Sequence, residues 1–220
     1  MNMISIYLRK VDTIWYGCAF TGEKILATTI CSTREKSVKN LISEIPFNVD
    51  HHIIEEGSEF TEKTIMMLKK LDSGNEEDKS FSLATEYMPE PNAKVLAASA
   101  AIPIGYVTSY GNIAKAADTE AQTVRKIMAT NPLYPIVPCH RVVGTDFSLV
   151  GYGGRKDTSA LKAKLARLKK EAKGFTAEKE LLVNGRKITV YPVERVIKKA
   201  ERHDNPRQQR TLFDCVESDN

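Results

Sequence analysis

Asn131-Pro132-Leu133-Tyr134-Pro135-Ile136-Val137-Pro138-Cys139-His140-Arg141 sets a cysteine beside a histidine at the end of a proline-rich, apolar run. Proline fixes φ at Pro132, Pro135 and Pro138 and biases the preceding residues toward extended geometry, so the run reads as a stiff arm that presents Cys139 in one orientation. Thiolate is the reactive form of cysteine, and a neighbouring imidazole takes up the thiol proton directly or through a water. Cys139 with His140 meets that requirement; an inert buried thiol beside a satisfied polar residue is the alternative for an isolated pair.

The surrounding sequence carries a resemblance. Asn131-Pro132 followed by Pro138-Cys139-His140-Arg141-Val142-Val143 resembles the active-site motif of the O6-alkylguanine-DNA alkyltransferases, the methylated-DNA-protein-cysteine methyltransferase family. Upstream, Ile102-Pro103-Ile104-Gly105-Tyr106-Val107-Thr108-Ser109-Tyr110-Gly111 is similar to the family's Ile-Pro-x-Gly-x-Val-x-(Ser/Thr)-Tyr-Gly segment, and downstream Val150-Gly151-Tyr152-Gly153-Gly154 resembles its pocket loop. The likeness covers residues 83 to 173 well, the first 80 or so by size and strand-rich pattern, and the last 45 not at all. It implies an α+β fold with a small strand-rich N-terminal domain (1–82) and a mainly helical DNA-binding and alkyl-transfer domain with a helix-turn-helix (83–175), beyond which residues 176–220 form a C-terminal extension.

Composition agrees. The 220 residues, 42% hydrophobic, suffice for real cores. No apolar run approaches the length of a membrane span and the N-terminus has no signal-peptide pattern, which predicts an intracellular protein with no membrane association. The net charge of +4 is unevenly divided: residues 1–91 carry 10 Lys/Arg against 15 Asp/Glu, residues 92–175 carry 13 against 5, and residues 176–220 carry 9 against 8. Positive charge concentrated around the cysteine suits a phosphate backbone, although the basic stretch 162–173 alone also reads as a solvated helix face. Cys18, Cys31, Cys139 and Cys215 contain no C-x-x-C pair, which argues against a disulfide framework or a cysteine-dominated zinc site. Cys18 and Cys31 with His51 or His52 are the residues a sparse metal site would use, and small buried strand residues are the other reading of both thiols.

Ile4–Leu8, Ile14–Phe20 and Lys24–Ile30 read as strands, Glu35–Glu44 and Glu59–Leu71 as helices, and the acidic and proline-containing stretch 75–91 as the boundary between domains. A helix follows over Asn92–Ala101. Asn112–Ala117 and Glu120–Thr130 read as two short helices joined by Asp118-Thr119, residues suited to N-capping, an arrangement that resembles a helix-turn-helix.

The resemblance implies direct reversal of DNA damage: the second of those helices enters the minor groove, an O6-alkylguanine is flipped from double-stranded DNA, and Cys139 accepts the alkyl group once, without cofactor or metal. Tyr110 would donate to guanine N3, Asn131 would tie the cysteine loop to the neighbouring helix, and the carbonyls of Cys139 and Val142 would accept from the exocyclic amine. Tyr152 and the Gly153 N–H would line the pocket around O6, His140 would relay the thiol proton, and Arg141 and Thr123 fall with the substrate- and DNA-binding residues. Glu171 is the candidate for the carboxylate that orients His140, being the only one between Thr158 and Gly174. Counting back from Asn131, the family's base-replacing arginine falls on Gln122, which lacks a planar cation; Arg125 lies almost one helical turn later.

In the extension, Leu181-Leu182-Val183, Asn184-Gly185 and Lys187–Tyr191 read as a hairpin, followed by a helix over Val193–Arg202. Near the end, Gln209, Leu212 and Phe213 resemble a sliding-clamp peptide, with Cys215 and Val216 where its aromatic pair would stand; a plain tail is the alternative. Three other functions compete: a DNA-binding relative that flags lesions without transfer, which lacks the cysteine; a cysteine hydrolase or acyltransferase; and a helix-turn-helix regulator, which would not need the Tyr110 and Tyr152 segments.

Overall fold

The computed structural model describes residues 3–75 and 81–204. Gln209, Leu212, Phe213 and Cys215 lie outside the described residues.

Three strands, β1 (Ile4–Val11), β2 (Ile14–Thr21) and β3 (Lys24–Cys31), form an antiparallel meander. Helix α1 (Arg34–Ser43) leads to β4 (His51–Ile54), which joins β1 in parallel. Helix α2 (Glu59–Asp72) precedes β5 (Ser82–Leu83), which joins β3 in parallel and completes the order β4-β1-β2-β3-β5. Alternation along the strands sends Ile4, Ile6, Ala19 and Leu26 to the face covered by Leu41 of α1, and Tyr7, Tyr16, Cys18 and Phe20 to the face covered by Ile65 and Leu68 of α2. β4 was not expected from sequence: four residues that open on two histidines carry too little alternation to announce a strand.

The second half contains α3 (Glu90–Ala100), β6 (Tyr106–Ser109), α4 (Tyr110–Ala117), α5 (Ala121–Ala129), a short 3-10 turn at Cys139–Arg141, β7 (Val142–Val143) and α6 (Thr158–Lys170). The extension supplies β8 (Lys179–Val183), β9 (Arg186–Pro192) and α7 (Glu194–Asp204). Asn184 (φ 49°) and Gly185 (φ 74°) both take the left-handed geometry of a two-residue hairpin turn. This hairpin is not an appendage. β9 pairs with β6 at Tyr106–Pro192 and Val107–Tyr191, giving a second sheet of order β7-β6-β9-β8, and Ile188 and Val190 enter the same core as Val95, Leu96 and Ile113.

That core runs without interruption into the α2 face of the first sheet. Polar contacts fix the join: the Thr28 N–H donates to Pro132 O at 2.8 Å, Thr28 Oγ1 donates to Tyr134 O at 2.6 Å, and Arg167 pairs with Asp72 at 2.8 Å. The first sheet is therefore the wall against which the proline-rich run rests.

Asp118 departs from the expected capping role. It ends α4 in the left-handed conformation (φ 54°), its N–H bonding Ala114 O, and α5 begins from Glu120 without a side-chain cap. Its carboxylate is drawn away by Arg186 of β9, at 2.8 Å. No helix among the described residues is long and apolar enough to cross a membrane, and those residues contain no group of three or more side chains disposed to hold a metal ion. Cys18 is fully buried, while Cys31 lies 3.4 Å from both Thr29 Oγ1 and Asn40 Nδ2.

Candidate active site

The proline-rich run is folded into turns rather than extended as an arm. Asn131 organises it: Nδ2 donates to Val137 O at 2.7 Å and Oδ1 accepts the Leu133 N–H at 3.0 Å, so one side chain closes the loop from both ends. The Val137 N–H bonds Leu133 O, that of Cys139 bonds Val137 O and that of Arg141 bonds Pro138 O, at 2.8, 2.9 and 2.8 Å. These local bonds override the extended bias of the prolines and turn the chain into the 3-10 turn that begins at Cys139.

Cys139, 8% exposed, contributes to an open pocket of about 490 Å3 measured out to its mouth. Tyr110, at the first turn of α4, and Tyr152 stand in its walls. Arg125 and Met128 of α5 form one rim, and Gly153, Gly154 and Lys156 form the other. Gly153 (φ 54°) and Gly154 (φ 74°) take the left-handed backbone that bends this rim. Gln122 and Arg125 are both exposed on α5, but only Arg125 reaches the pocket, with its guanidinium 5.2 Å from the centre of the Tyr110 ring. Thr123 is half-buried on the same helix.

Behind the cysteine lies a buried charge network. His140 Nε2 is 2.7 Å from Glu171 Oε1, and Arg141 donates to the same carboxylate through Nε at 2.8 Å and Nη2 at 2.9 Å, while Nη1 reaches Ile102 O at 2.7 Å. Glu171 follows the last residue of α6, so the helix delivers it to the underside of the cysteine turn. Arg141 is thus corrected as a substrate- or DNA-binding residue: it is 1% exposed and its whole guanidinium fork is spent on Glu171 and Ile102. Lys164 was missed altogether. Fully buried, its Nζ donates to the carbonyls of Val142, Leu149 and Gly151 at 2.6, 3.1 and 3.1 Å. Its signal was present: Ala160, Lys164 and Leu168 recur at four-residue spacing and form the buried stripe of α6. The Val142 carbonyl, expected to face substrate, already receives the short Lys164 bond on one lone pair.

Burial pushes the Cys139 thiol up, opposed by the Asn131 amide and the cations of Lys164 and Arg167. At Cys18 burial acts alone and carries the thiol to about 12. Cys18 and Cys139 are therefore not equivalent: at Cys139 an amide donor and two cations oppose the burial that acts alone at Cys18. For Glu171, burial is outweighed by the bonds and charges of His140 and Arg141, which bring its carboxyl down to about 2. Desolvation dominates at His140 against the pull of Glu171 and lowers it to about 4, so its imidazole is neutral near pH 7. An ionised carboxylate at Nε2 selects the tautomer with the proton there and leaves the lone pair on Nδ1, which is buried without a hydrogen-bond partner among the described residues. Burial raises Tyr110 to about 12 and keeps it a phenol, with Cys139 adding to the rise and Arg125 opposing it. A protonated thiol and a phenol thus line one pocket, and a neutral imidazole with its proton held on Nε2 lies next in the chain behind the thiol, an arrangement suited to moving a group onto sulfur.

The profile of the 6-O-methylguanine DNA methyltransferase DNA-binding domain matches residues 90–173. The methylated-DNA–protein-cysteine methyltransferase of Methanocaldococcus jannaschii is 31% identical over 147 residues, 65% of this chain and 82% of that protein. The one of Pyrobaculum aerophilum is 55% identical over 53 residues, 24% of this chain and about a third (36%) of that protein's length. Among solved structures, the O6-methylguanine-DNA methyltransferase of Pyrococcus kodakaraensis superposes with a TM-score of 0.53 at 25% identity, covering 77% of this chain and 99% of that one. For Mycobacterium tuberculosis OGT, solved in complex with DNA, the TM-score is 0.51 at 22% identity, with 76% and 92% covered, a likeness of fold.

Proposed function

The chain belongs to the methylated-DNA–protein-cysteine methyltransferase family, and from that premise we propose that it repairs O6-alkylguanine in DNA by moving the alkyl group to Cys139, inside the cell and once per molecule. The observation that carries this reading is Cys139 in the pocket between Tyr110 and Tyr152, backed by the His140–Glu171 pair. Alkylated O6 is shielded inside a duplex, so the nucleotide must swing out, at an unstacking cost of a few kcal/mol. As Cys139 Sγ attacks the alkyl carbon, the S–C bond forms while the C–O6 bond breaks. The thiol proton passes through a water to His140 Nδ1, Tyr110 supplies a proton to N3 so that the base departs neutral, and the phenolate regains its proton from the imidazolium through solvent, so that the thiol proton ends on guanine. A thioether has no hydrolytic exit, which makes the reaction stoichiometric. Intact-mass measurement after incubation with an O6-methylguanine duplex should find one methyl group added per chain; multiple turnovers by an unmodified chain would overturn the reading.

Within it, α4 and α5 act as the helix-turn-helix, with α5 in the minor groove and its exposed residues at the vacated stack. Gln122 carries the family position and Arg125 carries the cation. If Gln122 fills the gap, Gln122→Arg should speed repair of duplex severalfold and of single-stranded substrate little, since only the duplex has stacking to break. Equal gains would assign the gap to Arg125.

Of the 13 basic residues in 92–175, Arg141 and Lys164 are interior and bind no phosphate. The exposed remainder includes Arg125, Lys126, Lys156, Lys162, Lys169 and Lys170. Affinity for undamaged duplex should fall by on the order of a hundredfold between 50 and 200 mM salt, with little dependence on sequence. Fluorescence anisotropy checks this, and a flat titration would remove phosphate neutralisation from the account. A sliding clamp, engaged through Gln209, Leu212 and Phe213, is proposed as a second partner on sequence grounds alone.

A further inference from the structure

Asn112 stands two residues after Tyr110 in the first turn of α4. Its Nδ2 donates to Thr108 Oγ1 at 3.1 Å and to Thr189 O at 3.0 Å, and Thr108 Oγ1 donates to the same Thr189 carbonyl at 2.7 Å. One carbonyl of β9 therefore holds the residues on both sides of Ser109-Tyr110-Gly111. The backbone ladder between β6 and β9 stops at Val107, and these side chains continue the connection past it. Between them, Ser109 Oγ accepts the Asn112 N–H at 3.1 Å, capping α4 directly ahead of Tyr110. The hairpin tip holds the other end of the helix: Asn184 Nδ2 donates to Ala116 O at 3.2 Å, and Arg186 pairs with Asp118. All of these hairpin groups lie outside residues 90–173, the part matched by the family profile.

We infer that Asn112, locked to Thr189, is a positioning residue for Tyr110, which makes the hairpin of β8 and β9 part of the catalytic scaffold. The inference rests on the reading of Tyr110 as proton donor. A phenol can protonate a leaving base only from hydrogen-bond reach, and displacement by about an ångström costs on the order of a hundredfold in rate. Tyr110 is 8% exposed on a helix of eight residues, and so short a helix is poorly held by its own ladder. Core packing holds its ring, and the direction of the backbone that carries it comes from what its first turn is tied to, which is Thr189.

The test is a double-mutant cycle on single-turnover methyl transfer, measured with methylated duplex and with free O6-methylguanine base. Asn112→Ala and the isosteric Asn112→Asp, which turns an oxygen toward the Thr189 carbonyl, are each made in the wild-type and Tyr110→Phe backgrounds. With Tyr110 present, both variants should lose roughly tenfold in rate on both substrates. In the Tyr110→Phe background they should lose nothing further, because nothing is left to aim. The same fold-loss in both backgrounds would reduce Asn112 to a structural residue and overturn the inference, as would a Tyr110→Phe rate equal to wild type. Failure of the wild-type chain to take up methyl at all would sink the alkyl-transfer reading instead, so the two failures are distinguishable.

Discussion

Cys139→Ser should abolish methyl transfer, by more than about a thousandfold, while DNA affinity and melting temperature should stay near those of the wild type. A serine hydroxyl is far less acidic than a thiol, and a neutral imidazole cannot ionise it for displacement at carbon. The change is nearly isosteric and sits beside the Asn131 amide, so the fold has little to lose. Peptide mapping of the methylated wild-type protein should place the modification at Cys139, with Cys18 and Cys31 untouched. Cys18 is sealed in the core with its thiol raised to about 12, and Cys31, 9% exposed at the end of β3, is not among the residues that line the pocket. Methyl found on either, or transfer persisting in Cys139→Ser, would place the chemistry elsewhere.

The candidate nucleophile was legible because Pro138-Cys139-His140-Arg141 is contiguous and its neighbours are distinctive. The three-strand meander was legible because its strands alternate around short turns. What the sequence hid depends on contacts distant along the chain. Arg141, adjacent to the histidine, fell with the substrate- and DNA-binding residues; its interior role needs Glu171, which lies 30 residues away and only after folding meets it. Lys164 looked like one of many lysines on a basic helix, although its place on the stripe between Ala160 and Leu168 marks it as interior. The hairpin of β8 and β9 was visible as a hairpin, but no local pattern revealed that β6 is its partner. Asp118 favoured a capping role by residue type, and its ion pair with Arg186, 68 residues on, accompanies the left-handed C-cap it takes instead.

Glu171→Gln should lose about 3 to 5 kcal/mol of stability as well as most of the transfer rate. The wild-type carboxylate accepts two bonds from Arg141 and faces His140, and the Glu171 and Arg141 side chains are 3% and 2% exposed. The amide keeps the volume but removes the charge, leaving the Arg141 guanidinium buried and uncompensated, and it turns an N–H2 toward groups that are themselves donors. His140 loses the partner that fixes its tautomer and stabilises the imidazolium formed during transfer. The pH dependence follows from the same groups. Glu171 is depressed from 4.5 to about 2 and His140 from 6.5 to about 4. Both folded values lie below the unfolded ones, so the unfolded chain binds more protons, and the stability they confer is present above pH 6.5 and is lost as pH falls toward 2. Wild-type melting temperature should therefore drop on acidification through this window, and in Glu171→Gln the part of that slope due to Glu171, below pH 4.5, should disappear. The double variant Arg141→Met, Glu171→Leu separates fold from chemistry: replacing both partners by apolar side chains removes the stranded charge, so stability should return toward wild type while transfer stays slow. Transfer recovering together with stability would mean that Glu171 holds the fold and takes no part in orienting His140.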